Sequence, residues 1–141
     1  MSETSRRRIL AVDYGERRTG LAATDWTGTL VVPLPRVEAS DVEACARSVA
    51  TVARERESEC IVIGLPLRAD GGEGERAART RRFASALAAQ ITVPIEFVDE
   101  THSTDEAHER LKQFGLRAAR RKQAADSVAA IVILERYLRR A

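Results

Sequence analysis

Arg8-Ile-Leu-Ala-Val-Asp13-Tyr-Gly15-Glu-Arg-Arg-Thr-Gly20-Leu-Ala-Ala23 decides how the rest of the chain is read. An apolar run, as expected of a buried strand, ends in Asp13, and Gly15 then allows a sharp backbone turn. A second apolar run follows Gly20, so the stretch predicts a β-hairpin that presents a carboxylate at its turn. Burying such a carboxylate costs several kcal/mol unless a partner compensates. A divalent cation is a compensation that also performs chemistry. An Asx-turn that merely closes the hairpin is the plainer alternative.

Outward from the hairpin, the polar, basic residues 1–7 read as a disordered tail, and residues 8–141 as one domain. The third strand is expected over Thr29–Leu34, at a sheet edge because of Pro33 and Pro35. Ser40-Asp-Val-Glu43 has the form of a capping box. The helix after it runs to about Ser58, with Val42, Cys45, Ala46, Val49, Val52 and Ala53 at helical spacing. Cys60–Leu65 is an apolar run of the kind covered on both faces. A glycine-rich loop, Pro66–Gly74, leads to a helix over Glu75–Gln90 and a strand over Pro94–Val98 that also ends in acids, Asp99 and Glu100. Ser103-Thr-Asp-Glu106 opens a short helix ending at Gly115, and a last helix spans Arg121–Leu138. The order βββαβαβαα predicts an α/β fold: a five-stranded mixed sheet with helices on both faces.

Hydrophobic content of 44% with 31% charged residues fits a globular protein with a real core, built on aliphatic side chains because aromatics are only 4%. The net charge of +2 does not by itself point to nucleic acid. Charge placement does: Arg110, Lys112, Arg117, Arg120, Arg121 and Lys122 follow one another with no acid between them. Such a run is either a solvated surface or a contact for a phosphate backbone. Cys45 and Cys60 form no CxxC pair and read as core thiols of a reducing compartment. No apolar segment is long enough for a signal peptide or membrane span, which favours a cytoplasmic protein with no membrane partner.

Asp126 is the only charged residue between Lys122 and Glu135, and it shares a helical stripe with Ala129, Ala130 and Ile133. A buried salt bridge to Arg17 or Arg18 is one reading of it. The other groups it with Asp13 and Glu100. If strands one, four and five lie adjacent and parallel, their C-terminal ends share one side, and the last helix can bring Asp126 over them. Three converging carboxylates repel unless cations lie between them. Two Mg²⁺ or Mn²⁺ ions ~4 Å apart would neutralise the cluster and clamp a scissile phosphate. Oxygen donors suit these ions, and no His/Cys cluster suits zinc.

Four segments carry a family resemblance: Val12-Asp-Tyr-Gly15 with Thr19-Gly-Leu-Ala22; Ile63-Gly-Leu-Pro-Leu67 with Asp70-Gly71 and Glu73-Gly74; Val98-Asp-Glu100 with Ser103-Thr104; and Asp126-Ser-Val-Ala-Ala130 with Ile133-Leu134 and Tyr137-Leu138. In this order they resemble the YqgF (RuvX) family, described as Holliday-junction resolvases and as nucleases for the 5′ end of pre-16S ribosomal RNA. The resemblance spans Arg8 to Leu138. It implies a ribonuclease-H-like fold, catalytic and metal-binding roles for Asp13, Glu100 and Asp126, and a Gly64–Gly74 loop bordering the site. The family often has Arg directly after the Asp-Glu pair, whereas here Thr101 stands there, followed by His102, which reads as a surface residue.

The resulting expectation is a metal-dependent nuclease acting on structured RNA or branched DNA. Arg17, Arg18, Arg68, Lys112, Arg117, Arg120, Arg121 and Lys122 would hold phosphates. Processing of pre-16S ribosomal RNA comes first and junction resolution second, since a resolvase calls for a two-fold dimer that no segment specifies. A catalytically inactive nucleic-acid-binding module is the main alternative. A sugar-kinase or actin-type phosphotransferase starts with a similar Asp-x-Gly turn but closes two domains around ATP.

Overall fold

The computed structural model describes residues 7–28, 30–101, 109 and 118–140, with side chains in the last segment from Ser127 onward. The elements are β1 (Ile9–Asp13), β2 (Arg18–Thr24), β3 (Val31–Glu38), α1 (Val42–Glu55), β4 (Cys60–Leu65), α2 (Glu75–Ala88), β5 (Ile95–Asp99) and α3 (Ala118–Arg139). The strands form one sheet in the order β3-β2-β1-β4-β5. β2 pairs antiparallel with β1 and β3, while β4 pairs parallel with β1 and β5. The mixed sheet is as expected from the sequence, and β1, β4 and β5 are neighbours, the condition on which the grouping of Asp13 with Glu100 depended.

Strand alternation divides the core into two layers. Leu10, Val12, Leu21, Ala23, Ile61 and Ile63 face α1 and α2 and meet Cys45, Val49, Phe83 and Leu87. Ile9, Ala11, Cys60 and Val62 face the other way and pack on Ile133, Leu134 and Tyr137 of α3. These side chains are almost wholly removed from water. Full burial of each larger one contributes roughly 1.5–3 kcal/mol relative to exposure. Both cysteines are free and buried. Burial is the main cause that pushes each thiol up from its ordinary range.

Several boundaries differ from the sequence reading, each for a local reason. β3 does not stop at the prolines but continues to Glu38. It is an edge strand with Pro33 and Pro35 exposed, so the missing N–H groups remove no ladder bond. The cap of α1 is Asp41 rather than Ser40: its carboxylate accepts from the Ala44 backbone N–H at 2.9 Å. α1 ends at Glu55, because Glu57 adopts a positive φ of 52°. α2 ends at Ala88 and β5 is shifted one residue, to Ile95–Asp99. α3 begins three residues early, at Ala118, where two alanines favour helix. Of the short helix expected after Ser103, Glu109 is described and is helical; the rest of it, with His102, lies outside the described residues.

α3 crosses the sheet diagonally. Ser127 Oγ donates to the Leu34 carbonyl of β3 at 2.9 Å. Farther along, Arg136 Nη1 donates to the Asp99 carbonyl of β5 at 2.9 Å, and Tyr137 donates its hydroxyl proton to Glu96 Oε2 at 2.9 Å. Arg7 Nη2 donates to the Tyr137 oxygen at 2.7 Å, and Arg140 pairs with the other Glu96 oxygen. This cluster pins the end of α3 to β5. The Tyr137 hydrogen bond first, then Arg140, hold the Glu96 carboxyl below the usual range, while burial pushes the Tyr137 phenol up.

The sign of the pH dependence follows. A depressed carboxyl contributes stability above its unfolded pKa and loses it as pH falls through the folded value. A raised phenol contributes below its unfolded pKa and loses it as pH rises through the folded one. Glu96→Gln should therefore flatten the acid limb of the stability–pH curve below about pH 4.5. It should cost about 1 kcal/mol at pH 7, a modest figure because solvent screens the partly exposed pair. Urea midpoints from pH 3 to 8 check this; parallel acid limbs in both chains would contradict it.

Candidate active site

Asp13 closes β1 at the end where β4 and β5 also finish. It has the parity of Ile9 and Ala11, so strand alternation directs it to the face that α3 covers. Its neighbour Tyr14 turns to the opposite face and stacks on Phe83 of α2, with ring centroids 4.7 Å apart and planes 18° from parallel. That stack anchors the backbone next to Asp13. The turn itself needs Gly15, because a Cβ there would lie 2.3 Å from the Arg18 carbonyl oxygen. Thr19, buried beneath the turn, accepts from the Gly15 N–H at 3.3 Å. Across the hairpin, Asp13 faces Gly20.

The β1–β4 register runs to the pair Val12–Ile63, and Asp13 and Gly64 are the next residues of the two strands. Gly64 leaves the space that Glu100 fills: a Cβ added to Gly64 would sit 3.0 Å from Glu100 Cβ and 3.1 Å from its carboxyl carbon. The Glu100 N–H donates to the Leu65 carbonyl at 3.2 Å, continuing the β4–β5 ladder by one residue. Glu100 is only 6% exposed, which is unusual for a carboxylate. Asp99 is exposed and closes the strand differently, its Oδ1 accepting from the Thr101 N–H at 2.8 Å and from the Thr101 hydroxyl at 2.5 Å. Thr101 thus has a structural task, fixing the turn that directs Glu100 inward.

The structure therefore brings two of the three predicted acids, Asp13 and Glu100, to one end and one face of the sheet. The backbone of Asp126 lies in α3, one residue before Ser127, but its side chain is outside the described residues. Ala129, Ala130 and Ile133, on the same helical stripe as Asp126, are buried against the sheet. Among the described residues, no group of three His, Cys, Asp or Glu side chains is close enough to hold a metal ion. The donor set at Asp13 and Glu100 is all carboxylate oxygen, with a glycine cradle beside it, and that chemistry fits Mg²⁺ or Mn²⁺.

Of the predicted phosphate contacts, Arg17 is exposed on the turn after Asp13 and Arg18 is exposed at the start of β2. Arg68 is exposed on the loop after β4, folded over Gly72 and Gly74 and 3.4 Å from Asp70. Lys112 and Arg117 lie outside the described residues, as do the side chains of Arg120, Arg121 and Lys122. Sequence reasoning passed over Arg76 and Arg79. They line a cavity of about 200 Å³ with Tyr14, Gly15 and Pro66, at the same end of the sheet as Asp13. Arg79 is held by Glu16 at 3.2 Å and Glu75 at 3.5 Å. It also missed Arg136, whose grip on the Asp99 carbonyl ties α3 to the segment carrying Glu100. Its position near a helix end gave no sign of that.

The profile of the RuvX family, described as Holliday junction resolvase, matches residues 7–140. The chain belongs to the RuvX family. A protein of Chloroflexus aggregans named "Putative pre-16S rRNA nuclease" is 38% identical over 130 residues, 92% of each chain. A Streptomyces coelicolor protein of the same name is 39% identical over 134 residues, 94% of this chain and 80% of that one. Among solved structures, Thermus thermophilus RuvC in complex with a Holliday junction substrate superposes with a TM-score of 0.58 at 16% identity, covering 96% of both chains. At that identity the likeness concerns the fold, which is ribonuclease-H-like as the resemblance implied. No helix among the described residues is long and apolar enough to cross a membrane.

Proposed function

We propose that this RuvX-family chain is a divalent-metal-dependent nuclease that hydrolyses phosphodiester bonds in structured nucleic acid. Its first role is at the 5′ end of pre-16S ribosomal RNA, and its second at Holliday junctions. The observation that carries the reading is the placement of Asp13 and of buried Glu100, which fills the space beside Gly64, at the C-terminal ends of neighbouring parallel strands. The names of the relatives support the choice of ribosomal RNA.

In this reading Asp13, Glu100 and Asp126 hold two Mg²⁺ or Mn²⁺ ions. Ions held by these carboxylates would supply charge withdrawal at the scissile phosphate and a lowered pKa of the attacking water. The chain's own contribution is placement. The Tyr14–Phe83 stack and the Gly15 turn fix Asp13, and the Asp99–Thr101 turn and the Gly64 cradle fix Glu100. Holding the acids in position before substrate arrives lowers the reorganisation needed in the reaction. Arg17, Arg18 and Arg68, together with Lys112, Arg117, Arg120, Arg121 and Lys122, bind backbone phosphates and set the register of the strand.

The test is cleavage of end-labelled pre-16S ribosomal RNA and of a four-way DNA junction, with Mg²⁺ or Mn²⁺ and with chelator. Metal-dependent cutting of the RNA at a defined 5′ position is expected. Cutting of the junction alone would reassign the substrate. Binding without cutting of either would replace the enzyme by a nucleic-acid-binding module.

A further inference from the structure

The chain has a single tryptophan, and it is not in the core. Trp26 is 56% exposed on the β2–β3 turn, and the nearby Leu30 is 63% exposed; they are the exposed large apolar side chains among the described residues. The guanidinium carbons of Arg8 and Arg56 each lie 5.8 Å from the Trp26 ring centroid. That is within cation–π range. A large aromatic surface left in water beside two cations marks a contact site more readily than a packing defect.

The setting is preorganised. The Asp25 N–H donates to the Leu30 carbonyl at 2.7 Å, and the Gly28 N–H to the Asp25 carbonyl at 2.9 Å. The acid of this turn is used inside it: Asp25 Oδ1 accepts from the Thr27 hydroxyl at 2.7 Å and from the Leu30 N–H at 3.2 Å. Both arginines are held by backbone carbonyls, Arg8 Nε by Glu57 O at 3.0 Å and Arg56 Nη2 by Thr24 O at 3.2 Å. Two carboxylates lie near Arg8: that of Glu57 stands 3.9 Å from Nη2, with both members of the pair in contact with solvent, and Glu59 Oε1 accepts from the Arg8 backbone N–H at 2.8 Å. Two guanidiniums and an indole are thus held together on rigid backbone, each guanidinium anchored by a carbonyl and Arg8 only loosely paired with a carboxylate.

We infer that Trp26, Arg8 and Arg56 form a site for an unpaired nucleotide of a single-stranded segment, the base stacking on the indole and its phosphate meeting the guanidiniums. The inference rests on the nucleic-acid reading above for the class of ligand. Stacking on an aromatic ring with neighbouring cations is how single strands are held without sequence readout, each base contributing about 1–3 kcal/mol. The site lies at the other end of the sheet from Asp13. The Ile9 N–H donates to Thr24 Oγ1 at 2.8 Å, so the turn starts level with the beginning of β1. The length of β1, roughly 15 Å at 3.3 Å per residue, separates it from the acids. It would anchor an unpaired tail or a bulge beyond the cleavage point, so a duplex lacking unpaired bases would miss it.

Because Trp26 is the sole tryptophan, its fluorescence reports this site alone. The experiment titrates oligo(A) RNA and a blunt RNA duplex into the Asp13→Asn chain without metal, which separates binding from cleavage. Saturable quenching by oligo(A), and much less by the duplex, is expected. Labelled oligo(A) should bind Trp26→Ala about tenfold more weakly by anisotropy, with partial recovery in Trp26→Phe. Circular dichroism should show both variants folded, since the side chain is largely in solvent. Oligo(A) binding that neither quenches Trp26 nor weakens in Trp26→Ala would overturn the site while leaving the nuclease reading intact. Emission that changes with protein concentration alone would overturn it too, making a second copy of the chain the occupant. Absence of cleavage by the parent chain with metal, with the quenching of Trp26 retained, would count against the nuclease and not against this site.

Discussion

Asp13→Asn is expected to lower single-turnover cleavage by about 10³-fold or more while leaving the melting temperature equal to or above that of the parent chain. The opposite signs follow from one cause. Asp13 and Glu100 are like charges at one end of the sheet, and Glu100 is almost wholly buried. Such an arrangement raises the energy of the protein without cations and makes it receptive to them. Removing one charge would relieve repulsion and, on the proposed metal-dependent reading, take away a ligand together. Losing a single preorganised group that acts on the reacting phosphate commonly costs 10²–10³-fold, and a shared metal ligand belongs at or above the top of that range. Glu100→Gln should behave alike. The double variant should be about as slow as either single one, because residues that act as a unit do not add. Asp13→Glu keeps the charge but moves it by one methylene, and about 10²-fold loss is expected from misplacement alone. Asp13→Asn that still cuts within about threefold of the parent would remove Asp13 from the chemistry.

What was legible in the sequence was whatever one strong local pattern dictates. The apolar run into Asp13 and the continuous run Cys60–Leu65 specify buried strands, and both lie at the centre of the sheet. The prolines of β3 gave its edge position correctly, but not its length, because an edge strand tolerates the missing donors. Cap choice at α1 was not legible: Ser40 and Asp41 both have suitable oxygens, and only backbone geometry selects Asp41. Bringing Asp13 and Glu100 to one end of the sheet required β1, β4 and β5 to be neighbours, which the sequence offered only as a condition because strand order depends on contacts far apart in the chain. The role of Thr101 was invisible, since a threonine beside two acids does not announce that its hydroxyl will close a turn on Asp99. Trp26 was not singled out: Asp25-Trp-Thr-Gly28 has the composition of a turn, and a turn by itself does not tell a covered indole from one left in solvent.

Gly64→Ala should have the second large effect, on stability and on catalysis through separate contacts. The added methyl would lie 2.5 Å from Ile133 Cδ1, 3.0 Å from Glu100 Cβ and 3.1 Å from the Glu100 carboxyl carbon. Contacts this short force movement, and overpacking of this kind typically costs 1–3 kcal/mol. About 2 kcal/mol corresponds to a fall in melting temperature of roughly 4–8 °C for a chain of this size. Ile133 can yield, because its Cδ1 is the end of a side chain. Glu100 has less room, being buried and tied through its N–H to Leu65. Ile133→Val in the Gly64→Ala background removes that Cδ1 and should recover much of the melting temperature. The clash with Glu100 would remain, so cleavage should stay about 10²-fold below the parent. Thermal melts and single-turnover rates on the four chains separate the two contacts. Recovery of rate together with stability in the double variant would mean that Gly64 serves only the packing of α3. A rate that stays low after stability returns would place Gly64 in the catalytic site as the residue whose missing side chain makes room for Glu100.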